Sequence, residues 1–163
     1  MEKTELREML RRRLDDVSAA NVAAASKVIV DRLINEIVWQ DINRLCLYRP
    51  VVNWHEIDLS LLVKWLHSHY PEISCTILPQ AKDAVLPNDP FDVILIPLLG
   101  YDASCSRLGR GSGWYDRFLA NQPQAIKIGV AFAIQLVDIV PVEPHDIKLD
   151  KVITEEAVYS EHD

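Results

Sequence analysis

The chain has 163 residues, 49% of them hydrophobic, which suits one domain with a real apolar core, so residues 1–163 are expected to form a single unit. A formal net charge of -7 and a pI near 5.2 exclude a general nucleic-acid binder, which needs a basic footprint. No run approaches the roughly 18 continuous apolar residues of a membrane span, and the charged stretch from Met1 to Arg13 is no secretory leader.

Cys46, Cys75 and Cys105 are odd in number and about thirty residues apart in the sequence, so neither a disulfide framework nor a zinc knuckle is indicated. A cytoplasmic location is the default.

From the amino terminus, Leu6, Met9, Leu10, Leu14 and Val17 recur at spacings of three and four, predicting a helix over Lys3 to Val17. Three adjacent arginines, Arg11 to Arg13, point in three directions on such a helix and are expected to be mostly solvated. Ser18 can cap a second helix carrying Val22, Ala25, Ile29, Leu33 and Ile37. The short apolar run from Arg44 to Tyr48, followed by Pro50, predicts a buried strand. A third helix is expected around Leu59 to His67, with Asp58 as its cap, and a weaker strand over Ile73 to Leu78.

The stretch from Pro79 to Pro90 is proline-rich and reads as a loop. Phe91 to Pro97 is the strongest strand signal, and a glycine-dense loop follows from Gly100 to Gly113. A helix is predicted from Trp114 to Asn121 and a buried strand from Lys127 to Phe132. Val137 to Val142 is apolar and runs into a proline-acidic turn, Pro141 to Asp146; Val152 to Thr154 forms a last short strand. Apolar strands alternating with amphipathic helices predict an α/β fold: an open, mainly parallel sheet flanked by helices in a Rossmann-like three-layer arrangement. Ligands of such sheets lie beyond the carboxyl ends of the strands, where the glycine loop falls.

Within Arg107-Leu-Gly-Arg-Gly-Ser-Gly-Trp-Tyr-Asp-Arg117, glycines at 109, 111 and 113 let backbone N–H groups approach phosphate oxygens, and a following helix start adds positive potential. Arg107 and Arg110 bring planar forks for the same oxygens. Asp116 is a hard oxygen ligand of the kind Mg2+ takes beside phosphates. The segment is neither a P-loop nor a dinucleotide fingerprint. These features point to an anionic ligand or to a structural glycine turn, and name no ligand.

The stretch from Arg107 to Leu119, Arg-Leu-Gly-x-Gly-x-Gly-aromatic-Tyr-Asp-Arg-Phe-Leu, resembles the signature of the 5-formyltetrahydrofolate cyclo-ligase (5,10-methenyltetrahydrofolate synthetase) family. Lys3-Thr-Glu-Leu-Arg7, Tyr48-Arg-Pro50 with Glu56-Ile-Asp58, Ile128 to Phe132, Gln135 and Pro141 to Asp146 are similar to other family segments in the same order. The resemblance implies ATP- and Mg2+-dependent closure of 5-formyltetrahydrofolate to 5,10-methenyltetrahydrofolate, with ATP and a reduced folate as partners; separately, the chain is expected to be a monomer. Lys3 and Arg7 would reach ATP phosphates. Arg107, Leu108, Gly109, Arg110, Gly111, Ser112, Gly113, Trp114 and Tyr115 would form the ATP loop. Val51, Glu56 and Trp114 would meet the folate, and Asp116 and Asp146 would hold the metal.

No side-chain nucleophile or catalytic triad is discernible, so no catalytic residue is assigned. Longer family members carry a Gly-Ile-x-Glu-Pro segment where this chain passes from Leu78-Pro79 to Phe91; Trp114 replaces a common tyrosine, and Ser112 a lysine or glycine. A nucleotide- or folate-binding paralogue with reduced or no turnover is the alternative reading. A phosphosugar or CoA-type enzyme of similar architecture is a third.

Overall fold

The computed structural model describes residues 1–79 and 85–161. Helix α1 spans Lys3–Asp15 and buries Leu6, Leu10 and Leu14, one residue per turn. It stops two residues short of the predicted end, where Val17 N turns back to Leu14 O at 3.0 Å. Helix α2 (Ala19–Glu36) begins at the predicted cap: Ser18 Oγ accepts from Asn21 N at 3.0 Å. It buries Ala25, Ile29, Val30 and Leu33.

Helix α3 spans Ser60–His69. Asp58 accepts from Ser60 N at 2.9 Å, two residues before the helix, while Leu59 occupies the N-cap position. Helix α4 spans Trp114–Ala120.

Six strands form the main sheet: β1 (Arg44–Tyr48), β2 (Ser74–Leu78), β3 (Val93–Pro97), β6 (Ile126–Val130), β7 (Lys151–Ile153) and β8 (Val158–Ser160). Between β3 and β6, β4 (Gly100–Tyr101) and β5 (Arg107–Leu108) make a small antiparallel ribbon. The main sheet runs β2-β1-β3-β6-β7-β8, parallel throughout except where β8 turns back along β7.

Side chains alternate across each strand. Leu45, Leu47, Val93, Leu95, Ile128 and Val130 share one core with α1, α2 and α3. Cys46, Ile94, Ile96 and Val152 share the other with Phe118 and Leu119 of α4. Helices on both faces make three layers, and explain why β3 is apolar at every residue from Val93 to Ile96. Among the described residues no helix is long and apolar enough to cross a membrane.

The three arginines of α1 are exposed, as expected of a solvated face, and differ in what their head groups meet. Arg12 pairs with Glu8 one turn away at 2.6 Å, a surface contact. Arg13 instead donates to Ile134 O and Leu136 O at 3.1 and 3.2 Å, tying α1 to the segment after β6. Arg11 lines the cavity beyond the strand ends. A long guanidinium can leave its helix face for unpaired carbonyls, a preference that helical spacing alone does not reveal.

Candidate active site

A cavity of about 990 Å³ lies beyond the carboxyl ends of β1 and β3, walled by α1, the loop from Arg107 to Gly113, the start of α4 and the 143–146 turn. Its lining holds seven Lys and Arg side chains, three of them from α1 (Lys3, Arg7, Arg11), against four acids, Glu56, Asp116, Glu143 and Asp146. A local excess of three positive charges (seven minus four) in a chain of net charge -7 focuses the field on an anionic ligand.

The glycine loop is held open by its neighbours. Arg7 Nε donates to Gly109 O at 2.9 Å, joining α1 to the loop. Gly111 has φ +114°, beyond what a β-branched side chain tolerates, and Gly113, at φ +72°, is the N-cap of α4. Leu108 anchors the loop in the core at 1% exposed.

Arg107 donates through Nε to Pro97 O at 3.2 Å, and its guanidinium lies 5.0 Å from the Tyr115 ring centroid. Burial pulls its pKa down, opposed by Asp116, Tyr115, Glu56 and Asp146. Trp114 sits in the core, tilted against Phe118 at 5.2 Å and edge-on to Tyr115 at 5.0 Å. It therefore anchors α4 as well as bordering the cavity. The predicted helix-terminus potential is small here, because α4 has only seven residues.

On the opposite wall, a 3₁₀ turn over Val52–Trp54 ends at His55 in the left-handed region, φ 55°. That reversal brings Glu56 back under the turn, where its Oε1 accepts from Val51 N at 2.8 Å. Arg110 crosses from the glycine loop to meet it. Its guanidinium lies 4.3 Å from the Trp54 ring centroid, Nη2 donates to Trp54 O at 3.3 Å, and Nε lies 3.8 Å from Glu56 Oε2. Burial raises the Glu56 pKa, and the Val51 amide, Arg110 and Arg107 oppose the rise. Burial likewise lowers Arg110 to about 10, with Glu56 opposing.

Asp116 and Asp146 stand on facing segments: Asp116 Oδ1 accepts from Ile147 N at 3.1 Å, one residue past Asp146. Asp146 Oδ2 takes Lys3 Nζ at 2.6 Å and Glu143 N at 2.9 Å. Burial pushes its pKa up, but the Lys3 hydrogen bond, the Glu143 amide and the charges of Lys3 and His145 outweigh this and leave it below the ordinary value. No cluster of three or more metal-type ligands occurs among the described residues. Mg2+ needs no such cage, since it is commonly held by one or two carboxylates plus phosphates, and this pair fits that donor set.

Every site residue inferred from the sequence thus borders this one cavity. Arg11, Arg49, Trp54, Arg117 and Glu143 join them without having been singled out. Arg11 could have been found from its place one helical turn after Arg7, and Trp54 from its position between Val51 and Glu56. Arg49, Arg117 and Glu143 lie within the segments that carry the family resemblance, Tyr48 to Pro50, Arg107 to Leu119 and Pro141 to Asp146, which is the signal that could have found them.

Fold and cavity define a three-layer α/β protein with a cationic, glycine-lined cleft suited to a phosphorylated ligand. The model of the 5-formyltetrahydrofolate cyclo-ligase family matches residues 71–155. A 5-formyltetrahydrofolate cyclo-ligase of Mycoplasma pneumoniae is 32% identical over 126 residues, 71% of this chain and 74% of that protein. The Escherichia coli K12 protein of the same name is 36% identical over 110 residues, 66% of this chain and 56% of its own length. The mouse protein is 37% identical over 81 residues, only 40% of its length. This chain belongs to the 5-formyltetrahydrofolate cyclo-ligase family.

Solved 5,10-methenyltetrahydrofolate synthetases from Mycoplasma pneumoniae and Aquifex aeolicus superpose with TM-scores of 0.79 and 0.81, each at 24% identity. The match covers 95% of this chain and 99% of the first, and 100% of this chain and 94% of the second. The fold is therefore shared nearly end to end, even with the short connection between β2 and β3. Part of that connection, residues 80–84, lies outside the described residues.

Proposed function

We propose that this chain converts 5-formyltetrahydrofolate to 5,10-methenyltetrahydrofolate at the expense of ATP, with Mg2+ bound beside the phosphates. One observation carries the reading: a single cleft joins a glycine loop braced by Arg7 and Arg107, a pair of carboxylates, and a buried acid on the far wall.

The formyl oxygen is a weak nucleophile. It attacks the γ-phosphorus of ATP, ADP leaves, N10 closes on the activated carbon, and phosphate departs. Such a path asks the protein to position two substrates and to neutralise charge, which requires no nucleophilic side chain. The backbone from Gly109 to Gly113 cradles phosphate oxygens, with Ser112 and Tyr115 alongside and Arg7 and Arg107 supplying charge. Lys3 adds to that charge and holds Asp146 in place.

Asp116 and Asp146 are the residues that would hold Mg2+, whose contribution is to offset negative charge on the transferring phosphoryl group. Val51 and Glu56 take the folate; Glu56, acceptor-only when ionised, suits the N–H donors of the pterin edge. Trp114 forms the cleft wall between the two ligands.

The test is an absorbance assay for methenyltetrahydrofolate with ATP and Mg2+, coupled to ADP release. Product formed in step with ADP is the expected result. Tight binding of ATP and folate without ADP release would favour a non-catalytic binding protein. Because the Gly-Ile-x-Glu-Pro segment is missing, folate binding is expected to be the weaker of the two. A few absent hydrogen bonds at about 1 kcal/mol each raise the folate KM about tenfold or more and leave that for ATP ordinary.

A further inference from the structure

Arg110 belongs by sequence to the nucleotide loop, yet its side chain leaves that loop. The guanidinium stacks on Trp54, donates to the Trp54 carbonyl and stops 3.8 Å short of Glu56 Oε2. That last separation is too long for a hydrogen bond. Arg110 Nε is buried without a hydrogen-bond partner among the described residues, while the Glu56 side chain is 7% exposed and only its other oxygen is hydrogen-bonded, to Val51 N. A buried donor and a buried acceptor, facing each other across a small gap, form an unfinished pair whose attraction grows when a ligand displaces water from the cleft.

We propose that Arg110 acts on the folate side rather than on the phosphates: clamped by Trp54, it is a positioning residue that keeps the Glu56 carboxylate aimed at the pterin. The inference rests on the folate assignment of this cleft. Arg7 and Arg107 already supply the loop with charge, so the phosphate site does not depend on a third guanidinium. The pairing also links the two walls, because a shift of the 109–113 backbone moves the clamp on Glu56. Trp54 is 44% exposed, so it keeps surface available to the ligand while one part of its ring carries the guanidinium.

The experiment compares Arg110→Gln, Arg110→Lys and Trp54→Ala with the parent, measuring the binding of 5-formyltetrahydrofolate and of a non-hydrolysable ATP analogue separately by calorimetry. Arg110→Gln should weaken folate binding about tenfold and change the nucleotide Kd by less than about twofold. Arg110→Lys keeps the charge but loses the planar fork, so it should behave like Arg110→Gln toward folate. Trp54→Ala should weaken folate by a similar factor, and the Arg110→Gln/Trp54→Ala double variant should lose less than the product of the two factors.

Rescue by lysine, or a nucleotide Kd raised tenfold with folate unchanged, would overturn the assignment; so would no change in either ligand. Far-UV dichroism of each variant identifies a folding failure, and Trp54→Phe, which keeps an aromatic face, must then retain folate binding for the proposal to stand. A parent that binds folate but forms no methenyl product refutes only the proposed reaction. A parent that binds no folate refutes both.

Discussion

The two ends of strand β3 solve the same problem in opposite ways. At the amino end, side chains fixed by the fold take up backbone groups of the strand starts. Asp92 Oδ2 accepts from Asn43 N and Arg44 N, both at 2.8 Å. Buried Gln122 accepts from Phe91 N at 3.0 Å and donates to Asp89 O at 2.9 Å. Asp150 performs the same service for Lys127 N at 2.8 Å on β6. At the carboxyl end, Gln135 secures Leu98 O and Leu99 O at 2.9 and 3.0 Å. Beyond it the groups are buried but not completed: an acid raised by burial at Glu56, guanidinium groups depressed by burial at Arg107 and Arg110, and a donor without an acceptor. One end contributes stability; the other holds the buried charged groups that the proposed function assigns to ligand binding.

Substitutions at the two ends should therefore separate cleanly. The largest effect is expected from Gly111→Val. Gly111 is exposed and at φ +114°, so a β-branched residue must rotate the loop backbone away from the phosphates while the core is untouched. ATP affinity should fall at least about 100-fold, close to 3 kcal/mol, with the thermal midpoint unchanged. Calorimetry on a folded variant checks it, and undiminished affinity would break the comparison.

Asp92→Ala is the mirror case. Orphaning two backbone amides should cost about 2 kcal/mol in denaturant unfolding and leave the KM values for ATP and folate as they were. An altered KM with unchanged stability would show that the amino end is not merely structural. Asp116→Asn should raise the Mg2+ concentration needed for half-maximal nucleotide binding about tenfold, since few protein carboxylates share the ion. An unchanged Mg2+ titration would remove Asp116 from the metal site.

The smallest effect sharpens the boundary between the two roles. The Asp146 carboxyl titrates in the native state below its unfolded value of 3.8. Its contribution to stability is therefore full above pH 3.8 and is lost as the pH falls through the native pKa. Against Asp146→Asn, the parent should be more stable by about 1 kcal/mol at neutral pH, a value suited to a partly exposed ion pair. The gap should close in acid. Denaturant melts at pH 7 and at successively lower pH measure it; a constant gap would mean that the Lys3 ion pair contributes nothing.

The layered architecture was legible because its signals are periodic. Leu6, Leu10 and Leu14 mark a helix face, and the unbroken run from Val93 to Ile96 marks a strand covered on both sides. Strand β8 was not, because Val158, Tyr159 and Ser160 are each only half-buried and owe their conformation to pairing with β7. The β4–β5 ribbon lay hidden within a glycine-dense stretch that composition reads as loop.

At the cavity, the 107–117 motif and its family likeness pointed to a segment that lines it, but not to the course of its side chains. Nothing in the order Arg107-Leu-Gly-Arg110 tells that the first guanidinium lies over Tyr115 and the second over Trp54. Those choices depend on which carbonyls and rings the rest of the fold brings near. Lys3 and Asp146, 143 positions apart, meet for the same reason.

Central placement of β3 also sets a clock. It is hydrogen-bonded to β1 on one side and β6 on the other, with 0% exposure from Val93 to Ile96. Its amides can trade hydrogen for deuterium only when the whole sheet opens. The exposed loop at Gly111 and Ser112 has no such barrier and should exchange almost at once. Phosphate bound in that loop would slow its exchange first, long before any change reached the strand. The order in which amides become silent on adding nucleotide then traces ligand contact outward from the loop, in a molecule whose interior keeps its own much slower time.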